Sequence, residues 1–203
     1  MKQLVIIGAS ALGREVCSYA AVCGIKVKGF LDSRANILDH YKNYPPILST
    51  VEDYELAPND IFVCAIGDSA PRKQYVDLIK RKGGEFASIV HPSAIVGANV
   101  SMGIGCVIRP FAVIGNDARI GNHVIIGTQS LVAHDCKIGD CATVSPGCHI
   151  AGWCTVGEGV FVGIHAALVP HVTIGKEVFV AAGAVVTKSV ESGRVMGVPA
   201  VKK

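Results

Sequence analysis

Apolar residues recur along this chain with two different periods, and the change falls near residue 90. Before it, short aliphatic runs alternate with helical patterns. "LVII" (4 to 7) reads as a strand, "REVCSYAAVCG" as a helix, "KVKGFLD" as a second strand and "NYPPIL" as a Pro-containing connection. "DIFVCAIGD" is a third strand, "RKQYVDLIKRKGG" a second helix, and "FASIV" a last strand. Strands alternating with helices predict a small parallel sheet, so residues 1–90 are expected to form an α/β domain of Rossmann-like type.

From Val96 onward the period is six. Every sixth residue from Val96 to Val186 is Val, Ile, Leu or Met, without exception. The fifth position of each hexad is as restricted, carrying only Val, Ala, Cys or Ser, and Gly dominates the second. A helix repeats every 3.6 residues and cannot produce this, so residues 91–203 are expected to form a hexapeptide parallel β-helix. Each hexad supplies one short strand and a turn, first-position side chains fill the interior, and Gly eases the turns. With three hexads per triangular coil, residues 18 apart stack. The crossover rule for parallel strands predicts right-handed winding.

Composition narrows the function. The chain has 203 residues, half of them hydrophobic, which is enough for a sizeable core. A formal charge of only +3 and 6% aromatic residues argue against a nucleic-acid partner. Arg14 and Glu15 follow the short N-terminal apolar run with no cleavage pattern, and no run approaches the ~18 residues of a membrane span, so a cytoplasmic protein is expected. Cys106, Cys136, Cys148 and Cys154 fall on the fifth position and read as small core hydrophobes rather than nucleophiles or metal ligands. All eight cysteines are expected to be reduced thiols.

The polar residues that the repeat does not need carry the chemistry. His134 stands at the third position of "VAHDCK", pointing outward, with Asp135 beside it. One coil above lies Gly152, bare backbone where a ligand could approach closely. A flat prism face offers no pocket, so general-base chemistry there needs a second surface, and another copy of the chain is the simplest source. In the first domain "GASALG" follows a strand and opens a helix whose backbone N–H groups could meet a nucleotide diphosphate. Asp32 ends the second strand, where α/β nucleotide folds read ribose hydroxyls. Arg72, near a helix start, reads as a structural salt-bridge residue.

"IIGASALGREV", "GFLDS", "AIGDSAPRK", "VHPSA", "SLVAHDCKIGD" and the closing "GVPA" at 197 to 200 together make the chain resemble the bacterial sugar O- and N-acyltransferases of the hexapeptide-repeat superfamily. That group includes nucleotide-amino-sugar N-acetyltransferases of the bacillosamine pathway and sialic acid O-acetyltransferases. The resemblance implies left-handed rather than right-handed winding, a homotrimer, and acetyl-CoA in the cleft between neighbouring β-helices. It makes His134 the general base and Asp135 the acid that orients it, in a direct transfer with no covalent enzyme intermediate and no metal. It puts Gly152, Ile164, Ala182 and Thr143 along the cofactor cleft, and Ser10, Leu12, Asp32, Ser33 and Gly67 against a nucleotide-linked sugar. Three residues depart from the pattern: Asp135 stands where some relatives carry Glu, Thr143 where they carry a second His, and Leu12 where His is common.

The expected activity is acetyl-CoA-dependent N-acetylation of a UDP-linked 4-amino-sugar, with O-acetylation of sialic acid or another sugar as the alternative. Two further readings belong to other classes. His123, His165 and His171 share the fourth hexad position and could form a zinc site of γ-type carbonic anhydrase, if subunit contacts brought them to bonds of ~2.0 to 2.1 Å. The other is a non-catalytic module that uses the α/β domain to sense a nucleotide-sugar; loss of acetyl transfer in His134→Ala, with an unchanged trimer and unchanged CoA binding, favours the enzyme over it.

Overall fold

The computed structural model describes residues 2–197. The tripeptide 198–200, which completes the "GVPA" segment, lies outside the described residues.

The first unit is built on strand β1 (Gln3–Ile7), which sits inside a four-stranded parallel sheet with β2 (Val27–Leu31), β3 (Ile47–Ser49) and β4 (Asp60–Cys64) in the order β3-β2-β1-β4. Alternation along β1 sends Leu4 and Ile6 to one side and Val5 and Ile7 to the other. Helix α1 (Ala11–Val22) covers the first side with Val16 and Ala20, and helix α2 (Ser69–Arg81) covers the second with Val76 and Ile79. Asp68 caps α2 by accepting the N–H of Ala70, and Lys80 and Arg81 face its C-terminal dipole.

Two expectations are corrected here. "NYPPIL" runs into the edge strand β3: Pro46, just before it, has no N–H to give, but its carbonyl accepts from Phe30, and Gly29 admits the close approach, since a Cβ there would lie 2.7 Å from that carbonyl. "FASIV" belongs to both units. Phe86 pairs with Phe62 in the first sheet, whereas Ile89–Val90 already forms the first rung of the second, so the six-residue pattern begins one hexad before Val96.

The second unit is a parallel β-solenoid of two-residue strands that pair at a spacing of eighteen residues, as in Ile120 with Ile138 and Ile138 with Val156, until the last strand, Arg194–Val195, pairs with Phe179–Val180. Three sheets of five, seven and six strands result. First- and fifth-position side chains form one continuous core, the four expected cysteines among them. Burial pushes the thiols of Cys106 and Cys148 up to about 11, which suits packing and not nucleophilic attack.

The turn chemistry differs from expectation. The left-handed backbone falls on the fourth hexad position in every coil from Asn99 (φ 57°) to Gly183 (φ 67°), not on the second. Second-position glycines serve close stacking instead: a Cβ on Gly115 would lie 2.6 Å from the backbone nitrogen of His134, and one on Gly139 2.5 Å from that of Glu158.

The outward side chain of each two-residue strand distinguishes the three faces. One face presents Val107, Ile125 and Thr143, buried beneath the α/β unit, and then Phe161 and Phe179 beyond it. The next presents Ile95, Val113, Leu131, His149, Ala167 and Val185, with Ile95 and Val185 63% and 66% exposed. The third presents Ser101, Arg119, Lys137, Thr155 and Thr173. The faces are thus covered, apolar and polar in turn.

Candidate functional site

Strand ends and helix starts build a crevice in the α/β unit. The carboxyl ends of β1, β2 and β4, with the segment after β3, enclose about 240 Å³ lined by Gly8, Ser10, Asp32, Ser33, Gly67 and the unpredicted Arg34, Glu52 and Tyr75. This is the place where parallel α/β sheets bind ligands. Ser10 precedes α1 with no capping bond from its hydroxyl, so that group is available to the crevice. Asp32 accepts the N–H of Ala9 at 2.9 Å and a paired contact from Arg34, Nε at 2.9 Å and Nη2 at 3.0 Å. Burial would raise this carboxyl, but the Arg34 and backbone hydrogen bonds outweigh it and hold it below the usual carboxylate range. Leu12 is not among the lining residues; it packs on the α1 side of the sheet, because the second residue of that helix turns back toward the core.

The corner between the apolar and polar faces carries His134. Its Nδ1 lies 2.9 Å from Asp135 Oδ2, and both side chains are about half exposed (49% and 43%). An Nδ1–H donated to the carboxylate leaves Nε2 as the free basic nitrogen. The imidazole itself lies over Gly152: a Cβ there would be 2.7 Å from His134 Cε1 and 2.8 Å from Nε2. Gly152 is therefore the bare floor on which the imidazole rests, where the sequence suggests a floor for the ligand. Trp153, missed in the sequence, packs edge to face with His134 at 4.4 Å between ring centroids and stacks on His171 at 5.0 Å.

Other expected residues are dispersed. Ile164 and Ala182 stack at the corner between the covered and apolar faces, away from His134 within one chain. Thr143 is buried, its hydroxyl donating to the Gly67 carbonyl at 2.8 Å and accepting from Arg72 at 2.8 Å, so it belongs to the junction between the two units and offers nothing to a cofactor. Arg72 makes no salt bridge among the described residues. It is fully buried and donates to the carbonyls of Ile66 (2.7 Å), Gly67 (3.2 Å) and Cys141 (2.5 Å) as well as to Thr143. Burial is the main influence on this guanidinium and lowers its pKa.

The three histidines of the zinc reading occupy three different corners. His123 is 2% exposed against Phe86, with ring centroids 4.7 Å apart; burial depresses its pKa to about 4, and neither ring nitrogen has a partner among the described residues. His165 lies over Gly147 and His171 over Trp153. Among the described residues no three His, Cys, Asp or Glu side chains are grouped to hold a metal ion, and no helix is long and apolar enough to cross a membrane.

Comparison with known proteins agrees with this division. Residues 3–79 match the PglD N-terminal domain, and residues 117–152 and 154–188 the bacterial transferase hexapeptide. UDP-N-acetylbacillosamine N-acetyltransferase of Bacillus subtilis is 32% identical over 110 residues, a match spanning 53% of this chain and about half (51%) of that protein. PerB of Caulobacter crescentus, solved with CoA and GDP-perosamine, is 30% identical with a TM-score of 0.90, covering 100% of this chain and 98% of that one. The acetyltransferase domain of PglB from Neisseria gonorrhoeae is 28% identical, TM-score 0.87, over 94% and 93% of the two chains. Sharing both units in the same order over its whole length, the chain belongs to the bacterial hexapeptide-repeat sugar acyltransferases that carry a PglD-type N-terminal domain.

Proposed function

We propose that this protein transfers the acetyl group of acetyl-CoA to the amine of a nucleotide-linked amino sugar. The observation that carries the reading is the His134–Asp135 pair, 2.9 Å apart, with no hydrogen-bond partner for Nε2 among the described residues. The amine nitrogen attacks the thioester carbonyl while Nε2 takes a proton from it. The C–N bond forms, the C–S bond breaks, and the imidazolium returns its proton to the departing thiolate. Asp135 holds the ring and balances its transient charge. The crevice at Ser10, Asp32, Ser33 and Gly67 takes the nucleotide end, with a ribose hydroxyl on Asp32 and the diphosphate at the start of α1.

The faces support a homotrimer. The covered face already has its partner and the polar face suits water, which leaves the apolar face for a second copy. That face is flanked by the corner of His134 and the corner of Ile164 and Ala182. If three prisms close a ring with their apolar faces toward the axis, the His134 corner of each meets the Ile164 corner of the next, which unites the dispersed residues around one cofactor. Acetyl-CoA and nucleotide-linked sugars are both made inside the cell, so these proposed substrates support a cytoplasmic location.

The test is release of CoA thiol with acetyl-CoA and a panel of UDP- and GDP-linked amino sugars, with sialic acid included. Turnover is expected with an amino sugar, and His134→Ala is expected to lower kcat by ~10²- to 10⁴-fold with unchanged nucleotide binding. Turnover with sialic acid alone would move the assignment to O-acetylation, and an unaffected variant would dismiss His134 as the base.

A further inference from the structure

The aromatic column above His134 belongs to no part of the reaction as derived so far. Trp153 is the sole tryptophan of the chain, it is 53% exposed, and it stands at a fourth hexad position with φ 59°. The left-handed backbone is common to the fourth position of every coil, and Phe111 is as exposed there; what sets Trp153 apart is the pair of rings it meets. The indole and the His171 imidazole are nearly coplanar, 4° between planes at 5.0 Å, and the indole meets the His134 ring almost perpendicularly, 88° at 4.4 Å. The Trp153 N–H donates to the His134 carbonyl at 3.2 Å, and the His171 N–H to the Gly152 carbonyl at 3.1 Å, so backbone bonds between successive coils set the column's spacing.

Resting on the transferase reading, we propose that Trp153 is a positioning residue of the general base. Asp135 holds the His134 ring at Nδ1 and leaves it free to rotate about that contact, since a single hydrogen bond does not define a plane. Gly152 closes one side of the ring by van der Waals contact, and the Trp153 edge-to-face contact closes another. Together these three leave one orientation, in which Nε2 is carried on a ring that cannot swing. His171 stiffens the indole from above. A base held this way meets the attacking amine without reorganisation, and a misplacement on the order of 1 Å can lower rate ~10²-fold.

The experiment compares Trp153→Asn with Trp153→Phe. Asn tolerates the left-handed backbone and removes the ring, whereas Phe restores an aromatic edge. Trp153→Asn is expected to lower kcat by ~10- to 100-fold with the KM of both substrates within about 3-fold, and Trp153→Phe to recover most of the rate. Because the protein has one tryptophan, its emission reports on this corner alone, and saturating CoA is expected to change it in the wild-type protein. Wild-type rates in Trp153→Asn, or a loss lying entirely in the KM for acetyl-CoA, would overturn the positioning role. An emission that does not respond, in protein shown to bind CoA by calorimetry, would remove this corner from the site. Absence of turnover by the wild-type protein on every amino sugar tested would instead defeat the transferase reading itself.

Discussion

The crevice of the α/β unit and the corner of the solenoid are built on opposite plans. The crevice is concave within one chain, and four elements converge on it so that Asp32 already has its cation and its backbone N–H in place. The corner is convex: His134 and Asp135 are half exposed, flanked by an apolar face that nothing covers among the described residues. Under the proposed function, one region is complete as a monomer and the other needs a neighbour. On that proposal a chain can lose acetyl transfer at the corner while keeping nucleotide binding in the crevice, and the two can be separated by experiment.

The sharpest separation comes from Leu131→Glu. It puts three carboxylates near the axis of the proposed ring, where like charges without partners are strongly unfavourable. Light scattering should report a monomer, thiol release should fall by roughly 10³-fold, and calorimetric nucleotide affinity should stay within about 2-fold of wild type. A trimer that persists, or an active monomer, breaks the comparison.

The seam between the regions gives the next effect. His123 is buried against Phe86 with a pKa near 4, well under its value in an unfolded chain. Between about pH 6.5 and about 4 the unfolded chain holds a proton on this ring that the folded one does not, so this group's contribution to stability falls as pH falls through that window and is level outside it. The contribution is on the order of 3 kcal/mol. Urea unfolding across this range should show that slope, and His123→Asn should flatten it.

The smallest effect is also the most local. Gly152→Ala sets a methyl 2.7 Å from His134 Cε1, so the ring must move while the crevice is untouched. A ~10- to 30-fold loss in kcat with an unchanged KM for the sugar nucleotide is expected in steady-state assays.

What could be read from the residues follows contact distance. The solenoid was legible because its defining contacts repeat at fixed spacing, so Val96 through Val186 announce one another. His134 and Asp135 stood out because they interrupt that order. The three faces are also written in the sequence, but only every eighteenth residue: Arg119 and Lys137 on one, Val113 and Leu131 on another. Grouping by six mixes them. Arg72 could not be read correctly, because its partners Cys141 and Thr143 lie 69 and 71 residues away and a guanidinium held by carbonyls leaves no acid to search for. Leu12 was misplaced because the direction in which a helix's first turn faces depends on the sheet it packs on. Trp153 escaped because it reaches His134 from the next coil.

The eighteen-residue pairing also makes the chain length discrete. An insertion of six residues after the α/β unit would preserve the inward pattern and the strands, yet every later side chain would advance to the next face, and His134 would stand at the polar–covered corner. Only whole coils can be gained or lost without scrambling which surface meets which, so in this protein growth by duplication is permitted in steps of three hexads and in no smaller step.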